Sequence, residues 1–157
     1  MRLFGLAAGM LAVVALAIAA AAGAFGGSSY LARGAAPPPG PAELRVLGQD
    51  ALRAATLDGD PHPSAAFVVP TTRRIAEQVA AGDDGEPNTP AYFVVLRGHF
   101  TLDDVPVPEG DKAPTGTVLT LTFDRRRNRS LDLGAGTQMP DLYAIGQPEP
   151  LPLPSAG

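Results

Sequence analysis

The chain contains no cysteine. No disulfide can staple its fold, no thiol can act as nucleophile or metal ligand, and no lipid can be attached through an N-terminal cysteine. Tryptophan is also absent, Lys112 is the only lysine, and there are two histidines. With 12 basic against 16 acidic residues the formal net charge is −4. A weakly acidic chain without a basic stripe excludes nucleic acid as a partner, because phosphate neutralisation supplies most non-specific affinity.

Catalytic and metal motifs are missing as well. Ser64 follows His62 in a Pro-rich turn, without the Gly-x-Ser-x-Gly elbow that exposes a serine nucleophile. The stretch Asp58-Gly59-Asp60-Pro61-His62-Pro63 matches no zinc or calcium spacing. Nothing in the spacing of the sixteen acids selects a carboxylate pair. The pattern calls for no cofactor and no metal.

What is abundant is glycine and proline, 18 and 17 residues, in a chain of 157. This length holds one ordinary domain once the ends are set aside. After Arg2 no charge occurs until Arg33, and the run is most apolar at Leu11 to Ile18. Leu3 to Phe25, as a helix, reaches about 34 Å, enough for a hydrocarbon core of about 30 Å. We expect residues 1–26 to be a single-pass transmembrane anchor, with Arg2 held in the cytoplasm and the domain outside. The alternative is a cleaved signal peptide, with Ala20-Ala21-Ala22 or Ala22-Gly23-Ala24 as the cleavage site. Either way the chain is exported.

Residues 27–41, rich in Gly, Ser and Pro, read as a linker that is flexible first and then stiffened by polyproline II. At the far end Pro148, Pro150, Pro152 and Pro154 alternate, which forbids a helix and denies a sheet its donors, so 147–157 is expected to be a disordered tail. Residues 42–146 remain for an extracytoplasmic α+β domain.

Within that domain a helix is expected from about Ala42 to Leu57, with Pro41 at its start and Gly48 weakening it by about 1 kcal/mol. Ala65 to Val69 reads as a strand bounded by Pro70. Thr71 or Thr72 caps a second helix through about Ala81, with Ile75, Ala76, Val79 and Ala80 as its apolar stripe and Gly82 as its stop. Ala91 to Leu102 alternates as a strand with Tyr92, Val94, Leu96, Phe100 and Leu102 on one side, and Gly98 in its middle marks a bulge or bend. Gly116 to Phe123 and Ser130 to Leu133, with Leu131 and Leu133 inward, are expected to form an antiparallel hairpin. The sum is an α+β fold with three or four antiparallel strands covered on one face by two helices.

Two arginines in the first turn of the second helix oppose its macrodipole. Thr71, Thr72, Arg73 and Arg74 are therefore a candidate anion site, set against an ordinary threonine cap with solvated arginines. Arg125, Arg126 and Arg127 crowd a hairpin turn, where they can touch an anionic envelope polymer or lipid head group, or simply be a wet, charged turn. Arg97 and His99, in a row with Thr101 and near Thr120, Thr122 and Asp132, are candidates for a polar contact surface on the solvent side of the sheet.

Three stretches carry a resemblance: Val69-Pro70-Thr71-Thr72-Arg73, Tyr92 to Phe100 (YFVVLRGHF), and Gly116 to Asp124 (GTVLTLTFD) leading to Asp132-Leu133-Gly134. In these the chain resembles small exported or single-pass membrane proteins of high-GC Gram-positive bacteria. The resemblance implies export and carries over no functional residue. The hairpin also resembles that of PepSY-type domains, but its turn is Arg-rich where theirs is not, so no peptidase regulation is transferred.

These observations point to a non-catalytic binding module of the cell envelope, tethered to the membrane by its N-terminal helix, with an envelope protein or anionic polymer as partner. A regulator or inhibitor of an exported hydrolase is the alternative. A small extracytoplasmic enzyme is the second alternative, and it requires a pocket containing convergent acids or His99.

Overall fold

Pro41 opens α1 (Pro41–Leu57) because its fixed φ suits the first helical position and its missing N–H is not needed there. Glu43 reaches back to accept the Gly40 N–H at 3.0 Å, which satisfies one more group at the helix start. After a turn through Asp60 come β1 (Ala65–Thr72), α2 (Arg73–Ala81), β2 (Pro90–Thr101), β3 (Thr115–Asp124), β4 (Arg129–Gly136), the single-turn α3 (Leu142–Ile145) and the short β5 (Glu149–Pro150). The structure is a computed structural model describing residues 35–83, 85–103, 105–126 and 129–154. The expected anchor or signal segment, residues 27–34 of the expected linker, and Arg127 lie outside the described residues. Among the described residues no helix is long and apolar enough to cross a membrane.

The strands form one sheet of five, in the order β4-β3-β2-β1-β5, and every neighbouring pair is antiparallel. The fold is α+β as expected, but with five strands in place of three or four, and the two main helices lie on opposite faces of the sheet. Tyr92, Val94, Leu96 and, past the bulge, Phe100 join Leu47, Ala51 and Ala55 of α1 in one core, together with Val68, Leu119, Leu121 and Phe123. Phe93 and Val95 point the other way and pack with Val69, Val118, Ala76 of α2, and Leu142 and Ile145 of α3. Because β2 is central and buried on both faces, its near-continuous apolar run replaces the alternation of a half-solvated strand.

The apolar stripe of α2 is also corrected. Ala76 and Glu77 are buried, Ile75 is half-buried, and Val79 and Ala80 face solvent. Thr72 caps α2 by accepting the Ile75 N–H, and Gly82 closes it at φ 73°, in the left-handed region that glycine adopts freely. β1 runs through Pro70 to Thr72, beyond the expected stop. β5 pairs only with Phe67 and Val68, so β1 is an edge strand at Pro70, where proline is tolerated. In β4 an extra residue between the Thr122–Asp132 and Phe123–Ser130 pairs shifts the register, and Leu133, expected inward, is 43% exposed on the sheet edge.

Residues 147–154 of the Pro-rich tail belong to the folded domain rather than to a disordered end, and residues 155–157 lie outside the described residues. Glu149 and Pro150 pair with β1, the Leu151 N–H donates to Ala66 O at 2.9 Å, Leu151 is buried, and Leu153 packs on the same core. The alternation that denies donors at Pro150 and Pro152 leaves one at Leu151, and that one is used. The carbonyl of Pro152 lies where a Cβ at residue 48 would sit, so Gly48 is the opening in α1 through which the tail crosses. Residues 35–40 of the expected linker are docked too: the Ala36 N–H donates to Thr71 O at 3.0 Å, and Ala36 and Pro39 are buried.

Candidate functional site

A groove of about 520 Å³ opens at one end of the sheet, lined by Asp60, His62, Ser64, Arg97, Gly98, His99, Thr117, Val118, Thr137 and Met139. Its floor is the β2 bulge. β2 is in register with β3 up to Arg97–Val118 and resumes only at Phe100–Gly116, so the intervening residues leave the ladder. That turns Arg97 and His99 out to solvent while Phe100 returns to the core.

The wall opposite is the loop between α1 and β1, and Asp60 holds it there. Its Oδ1 accepts the His62 N–H at 2.9 Å and its Oδ2 accepts the His99 N–H at 2.8 Å. The Asp60 N–H in turn donates to Ala55 O at 2.8 Å, and the Thr101 N–H donates to Asp58 O at 2.8 Å. One carboxylate thus ties together two segments 39 residues apart and satisfies a bulge amide that the sheet leaves out. Gly98 permits this approach, since a Cβ there would overlap Asp60 Oδ2.

Ser64, His62 and Asp60 share this groove, but their bonds are not those of a nucleophile and its base. The Ser64 hydroxyl donates to Arg97 O at 3.2 Å, and the main-chain N–H of the same serine donates to the same oxygen at 2.8 Å. Asp60 spends its oxygens on main-chain amides rather than on an imidazole. Among the described residues no three His, Asp or Glu side chains are grouped to hold a metal ion. The lining side chains include the exposed guanidinium of Arg97, the exposed imidazoles of His62 and His99, and Thr117, whose hydroxyl donates to Thr137 O at 3.3 Å. The Arg97 guanidinium and the two imidazoles therefore offer donors, and suit a ligand with anionic or acceptor oxygens.

Of the candidates read from sequence, Arg97 and His99 meet in this groove. Their expected neighbours Thr122 and Asp132 do not, because α2 covers that half of the row. The Thr122 hydroxyl donates to Glu77 Oε1 at 2.7 Å, and Asp132 pairs with Arg73.

The start of α2 brings Thr71, Thr72, Arg73 and Arg74 together, with most of their polar groups already engaged. Arg73 pairs with Glu86 at 3.0 Å and Asp132 at 3.1 Å, and its N–H donates to Thr89 O at 2.9 Å. Arg74 Nε donates to Glu86 O at 2.9 Å. Thr71 and Thr72 are fully buried; Thr72 Oγ1 is the helix cap, whereas Thr71 Oγ1 has no hydrogen-bond partner among the described residues. The macrodipole penalty on Arg73 is offset by these two carboxylates. Beneath them burial pushes the Glu77 carboxyl above the usual carboxylate range, against the pull of the Thr122 hydroxyl and with further help from nearby Asp132.

Arg125 is also engaged. Its Nε donates to Tyr92 Oη at 3.1 Å and lies 3.5 Å from Glu43 Oε1, while Tyr92 Oη donates to Pro37 O at 3.2 Å. Burial raises the Tyr92 phenol above its ordinary value, partly countered by Arg125. Arg126 stands exposed beside it.

Sequence reasoning passed over Asp60, His62 and Ser64 because they match no motif. The usable signal was the mid-strand Gly98, whose missing side chain marks where another element approaches. Set beside protein-family models, curated proteins and solved structures, the chain matches none of them.

Proposed function

We propose that this chain is an exported, membrane-tethered, non-catalytic binding module of the cell envelope, and that its groove takes a carboxylate-bearing segment of an envelope polymer or protein. The reading rests on one observation: Arg97, His62 and His99 line a concavity of about 520 Å³, while Asp60, the only acid lining it among the described residues, accepts from two main-chain amides. A carboxylate entering the groove meets the Arg97 guanidinium, while the Asp60 oxygens are occupied by main-chain amides. Export is supported by the apolar run from Leu3 to Phe25 and its single preceding cation, Arg2. Binding is favoured over hydrolysis because Ser64 donates to a main-chain carbonyl and is not bonded to either histidine.

Calorimetric titration of the full-length chain in detergent micelles with an oligogalacturonate, and with its methyl ester, tests the reading. The acid is expected to bind and the ester to bind at least about tenfold more weakly, the size of one charge-assisted pair. Arg97→Ala should remove that difference. Equal affinity for acid and ester in the unaltered chain, or no heat with either, would reject the proposal.

A further inference from the structure

The strand registers put the Arg-rich turn and the point where the chain enters the domain at the same end of the sheet. Thr72 pairs with Pro90, Ala91 with Asp124, and Asp124 with Arg129, so the end of β1, the start of β2 and the β3–β4 turn lie side by side. The chain arrives there: Ala36 bonds to Thr71, and Pro37 O is held by Tyr92, whose hydroxyl also accepts from Arg125. Arg125 in turn meets Glu43 at the first turn of α1, and its N–H donates to Pro90 O.

Charge is arranged along the same axis. Arg45, Arg74, Arg126 and Arg129 are exposed at or beside this end, where the acids Glu43, Glu86 and Asp132 pair with Arg125 and Arg73 and Asp124 accepts the Arg126 N–H. The opposite end carries Asp60, Asp103, Glu109 and Asp111 with Lys112, together with the groove at Arg97. Six residues of strand, about 20 Å, separate Ala91 from Arg97.

We infer that the end of the sheet bearing Arg126 and Arg129 faces the membrane, and that these two arginines rest against the anionic head groups of the membrane holding the N-terminal segment, so that the groove points away from the bilayer. This rests on the anchored reading proposed above. Residues 35–40 are docked rather than free, so the chain enters the described domain at the same end as Arg126 and Arg129, and a segment held in lipid would present these arginines at the high effective concentration of a short tether. Arg73 and Arg125, already paired with acids, hold the turn in place, while Arg126 and Arg129 supply the contact.

Because the chain has no cysteine, a dye can be placed at one introduced site without background. The full chain carrying Ser130→Cys, or Thr137→Cys at the groove end, would be mixed with phosphatidylcholine vesicles, with or without roughly 30% phosphatidylglycerol, each doped with a head-group spin-labelled lipid. Flotation and dye quenching are then read together. We expect the chain to float with both vesicles, the dye at residue 130 to be quenched more strongly on anionic ones, and the dye at residue 137 to remain bright. Arg126→Ala with Arg129→Ala should weaken the quenching by about fivefold for each arginine removed, and added salt should do the same.

Flotation with both vesicles, but quenching at residue 130 that ignores lipid charge and both substitutions, overturns this inference and leaves the anchor reading standing. Flotation with anionic vesicles alone, lost in the double variant, supports the surface and sinks the anchor reading. No flotation with either overturns both. Displacement of the turn by millimolar inorganic phosphate or by a soluble polyanion, with lipid charge making no difference, would assign the arginines to a free anion or a polymer and also overturn it.

Discussion

The Asp60 carboxylate occupies the space that a side chain at Gly98 would need. A Cβ on residue 98 would overlap Asp60 Oδ2 and lie 2.8 Å from Phe100 Cζ. The two residues belong to different elements, and their contact lets one carboxylate hold both walls of the groove.

Gly98→Ala should therefore be costly without changing any polar group. The added methyl has carboxylate on one side and a fully buried aromatic ring on the other, and overpacking of this sort costs about 1–3 kcal/mol. A urea titration of the full chain should show a lower midpoint with an unchanged slope. A midpoint equal to that of the unaltered protein would mean that the bulge moves freely.

Asp60→Ala removes the acceptor of the His62 and His99 amides. The cost is expected at about 1–3 kcal/mol, moderated because both sites are close to water. Amide hydrogen exchange at His99 should accelerate by more than that at Leu96, which lies in the intact ladder. Equal protection at both positions in the variant would show that the carboxylate does not hold the bulge.

Glu77 sets a pH dependence. Its folded pKa is raised, chiefly by burial, so the native state holds this proton more tightly than the unfolded chain does. The associated stability is fully present below the unfolded value of about 4.5 and is lost as pH rises through the raised folded value. Glu77→Gln keeps an acceptor for Thr122 and removes the ionisation. It should flatten this part of the stability profile and be at least as stable as the unaltered chain at pH 7. Parallel profiles for the two proteins, followed by thermal melting from pH 4 upward, would contradict this.

The tail should matter to folding. Leu151 is 4% exposed in the main core, and Leu151→Ala is expected to cost about 2–5 kcal/mol, as other buried leucines do. Removal of residues 148–157 also deletes β5 and Leu153, and should lower the melting temperature further. Unchanged melting after that truncation would return the tail to the status of a loose end.

Tyr92→Phe separates the docked entry segment from the domain. It removes the donor to Pro37 O and the acceptor for Arg125, at about 1 kcal/mol for a part-buried bond. Limited proteolysis should cut between residues 35 and 40 sooner in the variant. In the unaltered protein the phenol should ionise above its ordinary value near 10, read as absorbance at 295 nm.

The helices and strands were largely legible because their signals are local. Pro41 with Glu43, Thr72 with Gly82, and the alternation from Gly116 to Phe123 each depend on neighbours a few residues away. The bulge at Gly98 was legible for the same reason. The alternating prolines of the tail read as disorder because a sequence shows the donors that are missing and not the single one, at Leu151, that finds Ala66 across the sheet. The stripe of α2 was misplaced because Glu77 looks like a solvent residue until Thr122 and Arg73 surround it.

The groove was the least legible feature. Asp60, His62 and Ser64 match no motif, and only the folding of the α1–β1 loop against the β2 bulge brings them beside Arg97 and His99. By itself the sequence determined the class of fold, most element boundaries and the charge of each segment, since these follow from backbone propensity and short-range periodicity. Which helix covers which face, where the tail lies, and which polar residues share a surface were decided by tertiary structure alone. They depend on pairings between residues tens of positions apart, and no local pattern encodes these.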